Sequence, residues 1–301
     1  MRRPRIGVDF GASKIEVAAL SPESNFLFRE RVPTPHSYDE TIAAVVGLVK
    51  KAEEMLGVKA SVGVGFPGRI DPATGFVQDQ TALNGHPFDR DLAQALEREV
   101  RLANDAVCFA VSEATDGAGA GARVVFGAIF GSGVGGGVVV DQRPIIGANG
   151  LAGEWGHNPF PFSDARDLPG KRCWCGQFGC NETVLSGTAL AEDYFGPGAR
   201  DASSLPALAQ AGDARAKAAL QRHAERAARA LAQVVNLIDP DVIVLGGGLS
   251  NMEHFYTEVP RLMQKWQFRG LGRAELRRAN YGDSSGVRGA AWLWPLEAAE
   301  G

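Results

Sequence analysis

From Arg5 the chain enters an apolar run, Ile6 to Phe10, breaks at Gly11 to Lys14, and resumes as a second apolar run from Ile15 to Leu20. Two short apolar runs joined by a small polar break predict a β-hairpin. Ser37 stands three residues before Glu40, the spacing of a capping box, and Ile42, Val45, Val46, Val49 and Leu56 follow at helical intervals. A helix of roughly 38 to 56 is therefore expected. Ser61 to Phe66 reads as a buried strand stopped by Pro67-Gly68, after which a loop rich in Gly, Asp, Asn and Pro runs to Asp89. A short helix (Asp91 to Glu99) leads to a strand near Arg101 to Ala103, and Asn104-Asp105 opens the next helix.

A second pair of runs, Val124 to Phe130 and Val134 to Asp141, carries a Gly-Ser-Gly tip and echoes the first hairpin. Two copies of strand, small-residue tip and strand, each followed by helices and further strands, predict a duplicated α/β unit. Gly147 to Gly187 is irregular and rich in Gly, Pro, Trp and Cys. Beyond it, Asp213 to Ile238 is amphipathic, with Leu220, Ala224, Ala227, Leu231, Val234 and Ile238 along one helical face. Asp241 to Leu245 reads as a buried strand ending in Gly246-Gly247-Gly248, with a helix from about Asn251. Ser284 to Trp294 is the last helical segment.

At 301 residues the chain is long enough for two domains of ~150 residues. Asp and Glu (35) outweigh Lys and Arg (31), and the resulting charge of -4 with interspersed signs argues against a nucleic-acid partner. Glycine occupies 38 positions, well above the average of about 7%, and clusters as tight backbone turns at a site would. The uncharged stretch Val124 to Val140 contains six glycines and falls short of the ~20 apolar residues of a membrane span, so it reads as strands. The basic start, Arg2, Arg3 and Arg5, meets Asp9 before any apolar leader region forms; a cytoplasmic protein with no membrane partner is expected.

Candidate chemistry concentrates in a few clusters. His157, Cys173, Cys175 and Cys180 make a Cys3His set, the closed tetrahedral environment of a structural Zn2+. Cys108, flanked by Val107, Phe109 and Ala110, reads as a core residue. Gly131-Ser132-Gly133-Val-Gly135-Gly136 fits the dinucleotide spacing G-x-G-x-x-G, but β-branched Val138 to Val140 replace the helix which that fingerprint requires. The segment is then either a tight hairpin tip or a tip whose backbone N–H groups and Ser132 hydroxyl hold phosphate oxygens. Asp9-Phe-Gly11-Ala12-Ser13-Lys14 offers the same geometry with a carboxylate suited to Mg2+ through water. Gly246 to Gly248, ending a strand before a helix, offers bare backbone to a nucleoside. Asn104-Asp105 is a helix cap or a general base facing a phosphate site. Glu154 and Glu182 flank the metal ligands, and a metal there fixes them in space.

Together these residues resemble the ROK family of bacterial sugar kinases, from Ile6 to about Trp294. The family's first phosphate motif, Asp-x-Gly-Gly-Thr-Lys, appears as Asp9 to Lys14 with Ala12 and Ser13 substituted. The second, Gly-Thr-Gly-x-Gly-x-Gly, appears as Gly131 to Gly137 with Ser132. Glu154-Trp-Gly-His157 and Cys173-Trp-Cys175-Gly-Gln-Phe-Gly-Cys180-Asn-Glu182 match its zinc signature, with Asn181 where an apolar residue is usual. The resemblance implies a two-lobed, duplicated α/β fold of the hexokinase and actin type (ribonuclease H-like) with a zinc-organised loop. It implies a small lobe of residues 1–110, to which a C-terminal helix of about 284–301 returns, and a large lobe of 111–283 that closes toward it around substrate.

The same resemblance implies Asp105 as catalytic base and Gly68, Asn84, Asn104, Glu154, His157 and Glu182 as further sugar contacts, His157 using one ring nitrogen for zinc and the other for sugar. ATP with Mg2+ is then expected at Asp9, Gly11, Ser13, Lys14, Gly131, Ser132, Gly133 and Gly246 to Gly248. Leu83 to Asp89, Trp155 and the segment Gly282 to Pro295 look like bacterial fructokinases or mannokinases, which ranks phosphorylation of fructose to fructose 6-phosphate first. N-acetylglucosamine or N-acetylmannosamine phosphorylation ranks second, and a non-catalytic, sugar-responsive ROK protein is the alternative from another class. A homodimer is expected from the same resemblance.

Overall fold

The computed structural model describes residues 4–79, 81–165 and 167–295. Its residues gather into two compact units: one runs to Ala120 and includes Gln142–Ala152 and the residues from 283 on, and the other is Gly121–Asp141 with Gly153–Gly282. The expected lobe division at 110 falls inside a helix that belongs wholly to the first unit.

In the first unit, β1 (Arg5–Phe10) and β2 (Lys14–Leu20) form the expected hairpin, and β3 (Phe26–Pro33) adds an edge strand. Helix α1 (Tyr38–Leu56) starts at a Ser37 cap that accepts the Glu40 N–H and stops at left-handed Gly57. Then come β4 (Ser61–Phe66), the two-residue strands β5 (Arg69–Ile70) and β6 (Val77–Gln78), α2 (Phe88–Leu96), β7 (Val100–Asn104) and α3 (Asp105–Thr115). Helix α2 begins and ends three residues earlier than its sequence pattern implied. Pro87 occupies the N-cap position without a side-chain cap, its carbonyl accepting the Asp91 N–H, and Glu97, in the left-handed region, ends the helix. The sheet order is β3-β2-β1-β4-β7, with β1 antiparallel to β2 and parallel to β4, and β4 parallel to β7.

The second unit repeats this plan. β8 (Val124–Phe130) pairs antiparallel with β9 (Val134–Val140), after which β10 (Arg143–Ile145) leads the chain back to the first unit. α4 (Glu182–Leu185), α5 (Gly187–Phe195), α6 (Leu205–Gln210) and α7 (Ala214–Ile238) follow, and β11 (Val242–Gly246) returns parallel to β8. The expected helix after Asn251 is broken into α8 (His254–Thr257) and α9 (Val259–Met263), since Pro260 has no N–H to continue the first turn. β12 (Glu275–Arg278) closes the sheet edge parallel to β11. Asp213 caps α7 by accepting from Arg215 and Ala216, and its buried alanines let neighbouring elements approach closely.

The last helix, α10 (Ser285–Trp292), packs in the first unit on α3, β1 and β4. It fits only because the strands present glycine there: a Cβ on Gly7 or Gly63 would collide with the carbonyls of Val287 and Ala290. Residues 296–301, to which this helix was expected to extend, lie outside the described residues. Two apolar cores result, one around Ile6, Val8, Phe66 and Phe88 and one around Phe130, Leu231, Ile243 and Phe255. Parallel strands with helical connections gather functional residues at their carboxyl ends, where Asp9 of β1, Asn104 of β7 and Gly246 of β11 stand.

Candidate active site

In the first unit, Asp9 is next to last in β1 and faces Glu16 across the β1–β2 ladder. Burial is the main reason its carboxyl is pushed up to about 6; Asp105 and Glu16 add to this, while Lys14 and Arg31 oppose it. The start of α10 lies against it, for a Cβ on Gly286 would stand 2.9 Å from Asp9 Oδ2. The hairpin tip is pinned from outside: Thr34 donates its hydroxyl to Gly11 O (2.6 Å) and its N–H to Ser13 O (3.1 Å). Ser13 and Lys14 stay exposed.

Asp105 is the first residue of α3, and Asn104 is its N-cap. Asn104 Oδ1 and Asp105 Oδ1 share the Ala106 N–H at 2.9 and 2.8 Å, and Asn104 Nδ2 donates to Gly68 O at 3.3 Å. The cap and the carboxylate thus coexist. Asp105 is open to solvent yet surrounded by protein, and the lost hydration raises its pKa against the pull of the Ala106 N–H. Gly68 (φ 110°) leaves room for Asp79, which accepts both the N–H and the hydroxyl of Thr81. Asn84, exposed in the same loop, accepts the Asp79 N–H at 3.3 Å. Cys108 is a fully buried core residue of α3.

In the second unit the Gly131–Gly133 tip closes on itself through Gly131 N–H to Gly133 O (3.0 Å) and receives the Gly187 N–H on Gly131 O (2.7 Å). Gly247, at φ 79°, lies so close to Phe130 O that any Cβ would collide with it. The second and third glycine clusters are therefore one surface of bare backbone. Glu154-Trp155-Gly156-His157 packs along β9, with Trp155 Nε1 donating to Gly135 O at 2.7 Å.

His157, Cys173, Cys175 and Cys180 place one ligand atom each within 4.8 Å of one another. Cys173 Sγ is 3.6 Å from His157 Nδ1, and Cys175 Sγ is 3.6 Å from Cys180 Sγ. Those separations match the edges of a tetrahedron with Zn–S of about 2.3 Å and Zn–N of about 2.0–2.1 Å. As crowded thiols they are ill matched: burial and hydrogen bonds from the neighbouring thiols push Cys180 up to about 12, while the Gln177 backbone N–H draws Cys175 down. The donor set fits a structural Zn2+, and His157 Nδ1 is the ring nitrogen that faces it, leaving Nε2 for another partner.

Several contributors were not legible in the sequence. Glu182 Oε2 accepts the Val134 N–H (2.9 Å), and Oε1 accepts the indole N–H of Trp174 (2.6 Å), a residue to which no role was assigned. The unusual Asn181 is fully buried and donates to Trp155 O at 2.8 Å, joining the cysteine loop to the Glu154–His157 segment. Its signal was the departure from an apolar residue. Glu16, buried in β2, is held by Arg29 and Arg31 of β3.

The ROK family model matches residues 5–297. The chain is 39% identical over 303 residues to the N-acetyl-D-glucosamine kinase of Pectobacterium atrosepticum, covering 95% of this chain and 97% of that protein. The crystal structure of the ROK hexokinase from Thermus thermophilus superposes with a TM-score of 0.87 at 32% identity, over 99% of this chain and 100% of that one. A ROK family glucokinase from Streptomyces griseus, in complex with glucose and AMPPNP, gives a TM-score of 0.74 at 27% identity, over 96% of this chain and 98% of that one. With a two-lobed sugar-kinase architecture, the phosphate-type tips and the zinc signature in place, the chain belongs to the ROK family.

Proposed function

We propose that this chain is an N-acetyl-D-glucosamine kinase that transfers the γ-phosphoryl group of ATP to a hydroxyl of the sugar. Similarity across nearly the whole chain to proteins named as sugar kinases supports the reaction class. The observation that carries the mechanism is Asp105: a solvent-reached carboxylate at the start of α3, its pKa raised by burial, in electrostatic contact with Asp9 beside a phosphate-type tip. A non-catalytic role is hard to reconcile with both carboxylates in place.

Asp105 takes the proton of the sugar hydroxyl as its oxygen bonds to the γ-phosphorus; the bond to the β,γ-bridging oxygen breaks in line, and ADP leaves with the electron pair. By their motifs, the Gly11–Lys14 tip with Ser13 and Lys14 offers phosphate-binding groups in the first unit, and the Gly131–Gly133 tip with Ser132 offers them in the second. Asp9 would hold Mg2+, which neutralises phosphate charge when bound. The bare backbone of Gly246–Gly248 takes the nucleoside. In the second unit Glu154, His157 Nε2 and Glu182 are the candidate groups for sugar hydroxyls, on a segment that Zn2+ on the Cys3His set would keep in shape; in the first unit the candidates are Asn84, Asn104 and the Gly68 turn.

On the sugar, the relatives favour the second of the two readings drawn from the motifs. Proteins 38–39% identical across 95% of the chain are N-acetylglucosamine kinases, which favours the amino sugar over fructose. The Thermus likeness keeps a plain hexose as the second reading. A coupled ADP-release assay across N-acetylglucosamine, N-acetylmannosamine, glucose, mannose and fructose separates them. The highest kcat/KM with N-acetylglucosamine is expected; a maximum with fructose restores the first ranking, and no turnover with any sugar removes the kinase reading.

A further inference from the structure

Trp174 stands between two metal-ligand cysteines and is 68% exposed. Its ring is nonetheless fixed: Nε1–H donates to Glu182 Oε1 at 2.6 Å, and the indole meets the His157 ring edge-on, centroids 4.8 Å apart at 87°. Glu182 is in turn held through its other oxygen by the Val134 N–H. A carboxylate with one fixed donor on each oxygen cannot rotate about its terminal torsion, and each oxygen keeps a further lone pair for an incoming hydroxyl. Removing the indole donor would leave Oε1 with only the longer approach of Cys173 Sγ at 3.9 Å, while Oε2 keeps the Val134 N–H.

An indole this exposed gains little from burial, so folding does not account for it. Tryptophan is the side chain that combines a donor N–H with a rigid apolar face. We propose that Trp174 is a positioning residue for sugar recognition, its N–H orienting Glu182 and its exposed face forming the apolar wall beside it. The inference rests on the sugar-kinase reading, in which Glu182 and His157 contact the sugar.

The test is Trp174→Phe, which keeps an aromatic wall and deletes the donor. KM for N-acetylglucosamine should rise about tenfold, the loss of one charge-assisted hydrogen bond at the sugar, while kcat and the KM for ATP stay within about twofold. Zinc content and Tm should match wild type. In wild type, adding sugar should change the tryptophan fluorescence, and in Trp174→Phe that change should largely vanish. In a double-mutant cycle with Glu182→Gln the two effects should be less than additive. An unaltered sugar KM overturns the proposal with the kinase reading intact, and loss of zinc or of folding in Trp174→Phe overturns it as a structural role. Absence of turnover in wild type with every sugar sinks the kinase reading and this inference with it.

Discussion

Glu182 accepts the backbone N–H of Val134 across 2.9 Å, and its Oε2 lies 2.6 Å from where a Cβ on Gly133 would stand. A carboxylate assigned to the sugar is thus anchored to the glycine tip assigned to phosphate. Glu182→Gln keeps an acceptor for Val134 and removes the charge. It should raise the sugar KM by about ten- to a hundredfold with little change in the KM for ATP. Glu182→Ala also strips the acceptor, so both KM values should rise, as steady-state kinetics with each substrate varied will read.

The Cys3His set implies one Zn2+ per chain. Elemental analysis of purified protein should find it, and Cys175→Ser should lower zinc content, Tm and sugar affinity together, because losing one ligand opens the site that shapes the loop. Wild-type protein free of zinc yet fully active would refute this role.

Asp9 is held at about 6 against an ordinary value of 3.8. A carboxyl raised on folding binds its proton more tightly in the folded than in the unfolded chain, so it costs stability above pH 6 and the cost fades as pH falls toward 4. Asp9→Asn should therefore stabilise the substrate-free protein by about 1–3 kcal/mol at pH 8, with the gain shrinking below pH 6, while activity collapses. Thermal melts of both proteins from pH 4.5 to 8 check the sign; a gain that grows on acidification would contradict it.

Local chemistry made much of this molecule readable. The two hairpins, the Ser37 cap and the Asn104 cap are each specified within a few residues and form as local patterns imply, and His157 joins Cys173, Cys175 and Cys180, 16 to 23 residues on, in one cluster that could hold a metal. What escaped depends on distant partners. β3 carries Arg29, Glu30 and Arg31 in place of a clean apolar alternation, and two of those charges exist to satisfy Glu16 inside β2. β12 is a charged edge strand for the same kind of reason, Arg278 pairing with Glu253. The loop carrying Asn84 is held by His86 stacked on Tyr38, whose hydroxyl donates to Asp91, a contact between segments far apart in sequence. Trp174 carries no local signal of its own; its partner is Glu182, whose Oε1 accepts the indole N–H at 2.6 Å.

The most direct measurement is the turnover of Asp105→Asn with ATP and N-acetylglucosamine. Asparagine preserves the size and the helix-start position of this side chain but cannot take a proton. A fall in kcat of about 10²- to 10⁴-fold, with sugar Kd by calorimetry nearly unchanged and the protein folded, is the predicted result. Turnover within a few-fold of wild type would contradict the account.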